Sequence, residues 1–397
     1  MLSIRYLQFF LLIGYICFPA NYINHNVIFA YFFIGGVFFL PGRIKLQYLL
    51  YVLPLVGIVF IGFISLLIDL RSIVWRDLLE TFRFLLIILF FIVGARLNPA
   101  ESFFIQFRFS IFFFAGVACL ELFLFSYFFD LRSFYVRTDS LYFYKPINFW
   151  FSTYFAGFMY LFFSLICLEH FAKRGAVGIF LLTLIFIGLT VATQSRTMFL
   201  LAVPMFCILL SFAALKFPLK LFLFLFLSVS FCVYFLSLDK IIETFAYLSY
   251  GLEHYLFNFS NSLSSQNSLS ARYGQMLFAF NNNPLLFIGA GIGKGYNEYL
   301  ESFFALYLFR YGFLGILLYC LFWFVFPLLV VRGSLGYFFH FLFVVLIMVG
   351  SLSSVMTDQF FIAPMLSLFL GHKISPVVFK SSKFLRKGVI LGSTSVC

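Results

Sequence analysis

Charge is what this 397-residue chain has least of: Asp, Glu, Lys and Arg together make up 10% of it, and only 14 residues are acidic. A soluble domain carries about 25% charged residues, so that class is excluded. Cysteine offers no framework either. Cys17, Cys119, Cys167, Cys207, Cys232 and Cys320 lie in or beside apolar runs, Cys397 is the last residue, and no CxxC pair occurs; neither a disulfide scaffold nor a metal site is indicated. The five histidines, His25, His170, His254, His340 and His372, show no HExxH spacing, and no GxSxG elbow is present, which removes the common hydrolase arrangements.

What is present is apolar. Hydrophobic residues make up 64% of the chain, 67 of them phenylalanine, and the mean hydropathy is +1.08. Apolar runs long enough to cross lipid recur from one end to the other. Backbone groups in lipid must be satisfied within each segment, and no alternating barrel pattern occurs, so every span is helical. The expected fold is an all-α polytopic integral membrane protein with about twelve spans of roughly 20 residues each. They fall at Tyr6–Ala20, Val27–Leu40, Leu46–Ile68, Leu78–Leu97, Phe109–Phe129, Phe151–Leu168, Val177–Thr193, Thr197–Leu215, Leu219–Leu238, Phe303–Val331, Tyr337–Met356 and Phe360–Leu370. The first follows Arg5 without a convincing cleavage site and reads as an uncleaved transmembrane helix.

The formal net charge of +12 would suggest nucleic acid in a soluble protein. Here the charges sit between spans and describe topology instead. Residues 373–397 form a basic tail with Lys373, Lys380, Lys383, Arg386 and Lys387, which puts the C-terminus in the cytoplasm and, with an even number of spans, the N-terminus as well. Residues 1–372 read as a single multi-span membrane domain. Between the ninth and tenth spans a long outer loop runs over about residues 239–298.

Arginine outside opposes that rule. The outer segments hold Arg71, Arg76, Arg132, Arg137, Arg196 and Arg272, with Arg310 a further candidate, against only Lys145, Lys240 and Lys294. A guanidinium fork suits phosphate better than an ammonium does. The set reads either as a lipid-phosphate anchor with local ion pairs or as a site for an anionic head group. In WRDLLETFRF, Arg76, Glu80 and Arg83 stand at i, i+4 and i+7 on one helix face. That face is either a salt-bridged stripe or the wall of a water-filled cavity. Arg310 either snorkels, or its helix lies in the interface as far as Gly312 and turns into the membrane there.

The segment FIGAGIGKGYNEYLESFFALYLFRYGFLG, from Phe287 to Gly315, begins like a phosphate loop. A dinucleotide fingerprint fails, because the sixth place is Lys294 counting from Gly289 and Tyr296 counting from Gly291. Walker A fails too: its first glycine would be Ile288, and Gly295 follows Lys294 where Ser or Thr is needed. What remains is a pliable turn, or a nest of backbone amides beside Lys294 that could hold an anion.

QSRTMFLL at Gln194–Leu201, followed by ARYGQMLFAFNNNPLLFIGAGIGKGYNEYLESFFALYLFRYGFLG at Ala271–Gly315, resembles the C-terminal half of the bacterial O-antigen polymerase and ligase superfamily, specifically its Wzy-type polymerases. The shared order is a Ser-Arg pair heading a mid-chain helix, an arginine in a long periplasmic loop, an amphipathic segment, Pro before a Gly-rich turn, a short Asn-containing motif, and a helix with Gly-x-x-Gly. The resemblance covers Gln194–Gly315 in detail and the rest by span count. It implies a metal-independent glycosyltransferase without cofactor in the bacterial inner membrane, its active site facing the periplasm. Undecaprenyl-diphosphate-linked oligosaccharide would be both donor and acceptor, with the bilayer and a chain-length regulator protein as further partners and no nucleic acid. By position Arg196 and Arg272 match the family's arginines, and Asn297-Glu298 falls in the short motif; because arginine can stabilise charge on a departing diphosphate and a carboxylate can accept a proton, Arg196, Arg272, Glu298 and Arg310 are the catalytic candidates. Arg76, Arg83, Lys294, Asn297 and Glu301 would bind substrate. The ligase branch usually carries histidine in the short motif, where Tyr296 precedes Asn297 here, which favours polymerase. A lipid-linked oligosaccharide flippase is the alternative from another class.

Overall fold

A computed structural model of the chain describes residues 46–68, 75–97, 101–127, 153–218 apart from Gln194, 220, 223–225, 227–228, 268–291 apart from Pro284, 300, 302–330, 333–353 and 362–374. The described secondary structure is helical: α1 (Leu46–Ile68), α2 (Trp75–Arg96), α3 (Phe103–Tyr127), α4 (Thr153–Arg174), α5 (Val177–Ala192), α6 (Arg196–Lys216), α7 (Ser268–Asn281), α8 (Phe303–Cys320), α9 (Ser334–Ser353) and α10 (363–374). A π turn at Leu321–Val325 and a last turn at Phe326–Val330 continue α8.

Six helices among the described residues are long and apolar enough to cross a membrane, within α1, α3, α4, α6, α8 with its continuation, and α9. The chain is a multi-pass membrane protein. α1 is helical over the whole of its expected span, and at about 1.5 Å per residue that length matches the roughly 30 Å of a hydrocarbon core. The other expected spans that fall on described residues are helical with ends shifted by a few residues. Three expected spans lie wholly or largely outside the described residues: Tyr6–Ala20, Val27–Leu40 and Leu219–Leu238.

The helices group into two compact units. The first holds α1, α2, the head of α3 to Gln106, α7 from Arg272, and α8 to α10; the second holds α3 from Phe107 through α6. The division of α3 falls where Phe107 leaves helical geometry, at φ −111° and ψ 16°.

In the first unit α2 and α10 cross on glycine. A Cβ on Gly94 would stand 2.0 Å from the Leu368 carbonyl oxygen, and one on Gly371 would stand 2.1 Å from that of Phe91. Each helix thus presses its backbone into the gap left by the other's missing side chain. This is how membrane helices gain dispersion contact when lipid offers no hydrophobic drive for their association. Phe369 of α10 then meets Phe103 at 5.3 Å and Phe343 at 5.1 Å between ring centroids, tying in α3 and α9.

The second unit is built around α4, which is buried along most of its length. Phe114 of α3, Phe163 of α4 and Phe186 of α5 form a triangle of rings with centroids 4.9 to 5.9 Å apart. Turns of two and three residues connect α4, α5 and α6, so the three helices are antiparallel neighbours. Gly157 on α4 admits Thr193 from the second turn and Met198 from α6, both with atoms within 3.1 Å of the position a Cβ would take.

Substituting Gly371→Ala is expected to lower the melting temperature of the purified full-length protein in detergent, by the equivalent of about 1–3 kcal/mol of overpacking. Gly178→Ala, where a Cβ meets nothing within 4 Å, should leave it unchanged or slightly raised. Equal melting temperatures for the two variants would refute the glycine crossing.

Candidate functional site

Gly312 interrupts α8 with φ 64° and ψ −167°, a conformation essentially confined to glycine. The interruption falls inside the candidate span Phe303–Leu328. A break there uncouples two helical hydrogen bonds, those from the Phe313 and Leu314 amides to the Phe309 and Arg310 carbonyls four residues earlier. All four groups find partners in the segment 285–291. Phe313 N–H donates to the Leu286 carbonyl at 3.0 Å and Leu314 N–H to the Phe287 carbonyl at 3.1 Å. The Phe309 carbonyl accepts from Ala290 N–H at 2.7 Å and the Arg310 carbonyl from Gly291 N–H at 2.9 Å. The exchange is one for one.

So close an approach of two backbones leaves no room for side chains between them. A Cβ on Gly289 would stand 2.4 Å from Arg310 backbone atoms, and one on Gly312 would stand 2.4 Å from those of Phe287. Gly315 completes the Gly-x-x-Gly pair: a Cβ there would meet the Tyr311 Cβ at 2.1 Å.

Polar side chains hold the segment and the head of the helix it opens. The Ser65 hydroxyl of α1 lies 2.7 Å from the Ile288 carbonyl and 2.9 Å from the Ile61 carbonyl of its own helix, with one proton to share between them. Asn283 donates from Nδ2 to the Leu308 carbonyl at 2.7 Å, and its Oδ1 accepts from Leu285 N–H at 3.0 Å. At the head of α8 the Ser302 hydroxyl caps the Ala305 N–H at 3.3 Å, while Gln275 of α7 accepts the Ser302 N–H at 3.4 Å.

These bonds answer part of the phosphate-nest expectation. The amides of Ile288, Gly289, Ala290 and Gly291 all donate within the chain, so any anion nest begins beyond Gly291. Gly293, Lys294, Asn297, Glu298 and Glu301 lie outside the described residues.

The arginines fare differently. Arg310, two residues before the break, and Arg83, on α2, are both buried in the first unit. Arg272, on α7 in the same unit, is half-buried, and its Nε is buried without a hydrogen-bond partner among the described residues. Arg76 belongs to the first turn of α2, where the backbone is helical and its side chain lies outside the described residues. In the second unit Arg196 is the first residue of α6 and half-buried. A cation there stands at the positive end of the helix dipole, and the two together attract anions.

Sequence reasoning missed Ser65, Gln275, Asn283 and Ser302. Serine late in an apolar helix carries no distinguishing signal, whereas Asn283-Pro284 ahead of a glycine turn does. It also passed over Glu121, a buried carboxyl group in the candidate span of α3, and found no motif around His372, which is buried with its Nε2 3.1 Å from the Glu101 carbonyl. Among the described residues no group of three or more His, Cys, Asp or Glu side chains gathers.

Comparison of the chain with protein-family models, curated proteins and solved structures finds no match.

Replacing Gly312 with alanine should cost about 1–3 kcal/mol in backbone conformation alone, and more through the contact with Phe287. Gly274→Ala, in the open middle of α7, should be neutral or stabilising, because alanine is the better helix former. Thermal unfolding of the two full-length variants side by side checks this, and an unperturbed Gly312→Ala protein would refute the geometry of the break.

Proposed function

We propose that this chain is an O-antigen polymerase of the Wzy type, a glycosyltransferase at the periplasmic face of the bacterial inner membrane. The observation that carries the reading is the burial of Arg83 and Arg310 in helices of one unit. A guanidinium at the centre of a lipid-exposed helix costs on the order of 2.5–3.5 kcal/mol, and such residues face the protein interior or a water-filled path and mark the route of a substrate. The residue order from Gln194 to Gly315 agrees with it.

The chemistry follows from charge. In the proposed reaction the growing chain leaves its undecaprenyl diphosphate and joins the non-reducing sugar of the next lipid-linked repeat unit. As the bond from sugar C1 to the phosphate oxygen breaks, negative charge builds on the diphosphate. Arginines can stabilise that charge without a proton transfer of their own. Arg196, Arg272 and Arg310 take this role, with Arg76, Arg83 and Lys294 holding the lipid-linked diphosphate. The acceptor hydroxyl attacks C1 and gives its proton to Glu298 or Glu301, with Asn297 positioning the sugar. Repeat units join with no change of oxidation state.

One feature favours a second reading, a flippase for lipid-linked oligosaccharides. Helices interrupted inside a span, as α8 is at Gly312, are common where transporters bind their cargo. Against it stand the long expected outer loop and the outer arginines, which a transporter does not need.

The two readings separate in a deletion strain. A polymerase deletion leaves lipopolysaccharide capped with single repeats, whereas a flippase deletion removes surface antigen altogether. Complementation with Arg272→Ala is expected to restore little or no ladder-patterned polysaccharide, consistent with the roughly 10²- to 10³-fold loss seen when one electrostatic stabiliser is removed. Wild-type expression with a full ladder from that variant would remove Arg272 from the mechanism.

A further inference from the structure

The helix α7 divides its residues sharply. Tyr273, Met276, Leu277 and Phe280 are 66%, 37%, 44% and 51% exposed, and at i, i+3, i+4 and i+7 they cover one arc about 100° wide. The opposite arc faces protein. There Ala279 is fully buried, Gln275 accepts the Ser302 N–H, and Phe278 rests on Phe309 with ring centroids 5.7 Å apart. The packing side of this helix is therefore already occupied, and it is the apolar arc that looks outward.

We infer that α7 is an interfacial helix, lying along the boundary between head groups and acyl chains with Tyr273, Met276, Leu277 and Phe280 set into lipid. It cannot cross the membrane. Its 14 residues span about 21 Å against a core of roughly 30 Å. Lipid is also what the adjoining surface meets. α8, to which α7 is tied, turns Phe304, Phe313 and Leu317 outward along a candidate membrane span, and the turn after α7 turns Phe287 outward, 66% exposed. α7 is held to the head of that span by the Gln275–Ser302 hydrogen bond and the Phe278–Phe309 ring contact. A second copy of the chain suits it less, since four side chains fall well short of the roughly 20–30 residues a side in a stable protein interface. Tyr273 in the arc matches the boundary too, since tyrosine can keep its ring in lipid and its hydroxyl in water. This inference is independent of the proposed enzymatic function.

The test is photo-crosslinking of the full-length protein in vesicles of phosphatidylethanolamine and phosphatidylglycerol. The photoreactive p-benzoylphenylalanine replaces Tyr273 or Phe280, a change that exposed aromatic positions accommodate. Phe313 serves as the lipid-facing reference, and exposed Asn282, the polar residue in the turn just after α7, as the aqueous one. After irradiation, intact-mass measurement is expected to give phospholipid adducts at positions 273 and 280 within about twofold of position 313, and at least about fivefold above position 282. Adducts at both positions no higher than at 282, or a covalent dimer of the chain in place of lipid adducts, would overturn the inference.

Discussion

A peptide group opened inside a bilayer must find a partner, because no water is there to supply one. The break in α8 is organised around that constraint. Two amides and two carbonyls released near Gly312 are taken up by the complementary groups of residues 286–291. Glycine at 289 and 312 lets the backbones meet, Asn283 takes the Leu308 carbonyl, and Ser65 reaches across from α1. Removing any one of these leaves a polar group unsatisfied or two backbones in collision. The features form a single arrangement in which each part depends on the others.

The parts that lipid dictates were legible in the sequence. Apolar run length determines where α6 and α8 start within a residue, since leaving a polar residue outside lipid and an apolar one inside it gives the same boundary from both directions. The possibility of a turn at Gly312 was also readable, because Arg310 makes a continuous apolar helix costly. What held the turn was not readable. The pairing of 285–291 with 309–314 is made by main-chain atoms, and side-chain type says little about them beyond the presence of glycine. For the same reason the alternating glycines suggested phosphate, when the amides through Gly291 serve the protein's own carbonyls.

The arginines teach a complementary lesson. Their positions and their preference for phosphate are sequence properties, but the burial of Arg83 and Arg310 is a property of the fold, and for Arg310 it replaces the expected snorkelling. Burial itself depends on neighbours, so Arg272 and Arg196, equally prominent in the sequence, are only half-buried. Glu121 shows the opposite failure: one acidic residue in a run of phenylalanine and leucine attracts no pattern-based notice, yet the fold buries it.

The hydrogen-bond exchange at Gly312 also bears on how the chain is made. Ala290 and Phe309, or Gly291 and Arg310, are about 20 positions apart, so the closed loop between them is short and its entropic cost modest. During synthesis the 285–291 segment leaves the ribosome before the helix it opens. By the time Phe313 and Leu314 emerge, the carbonyls they will bond are already in the chain. α8 can enter the membrane in its interrupted form, without first forming an unbroken helix that would then have to be pulled apart in lipid.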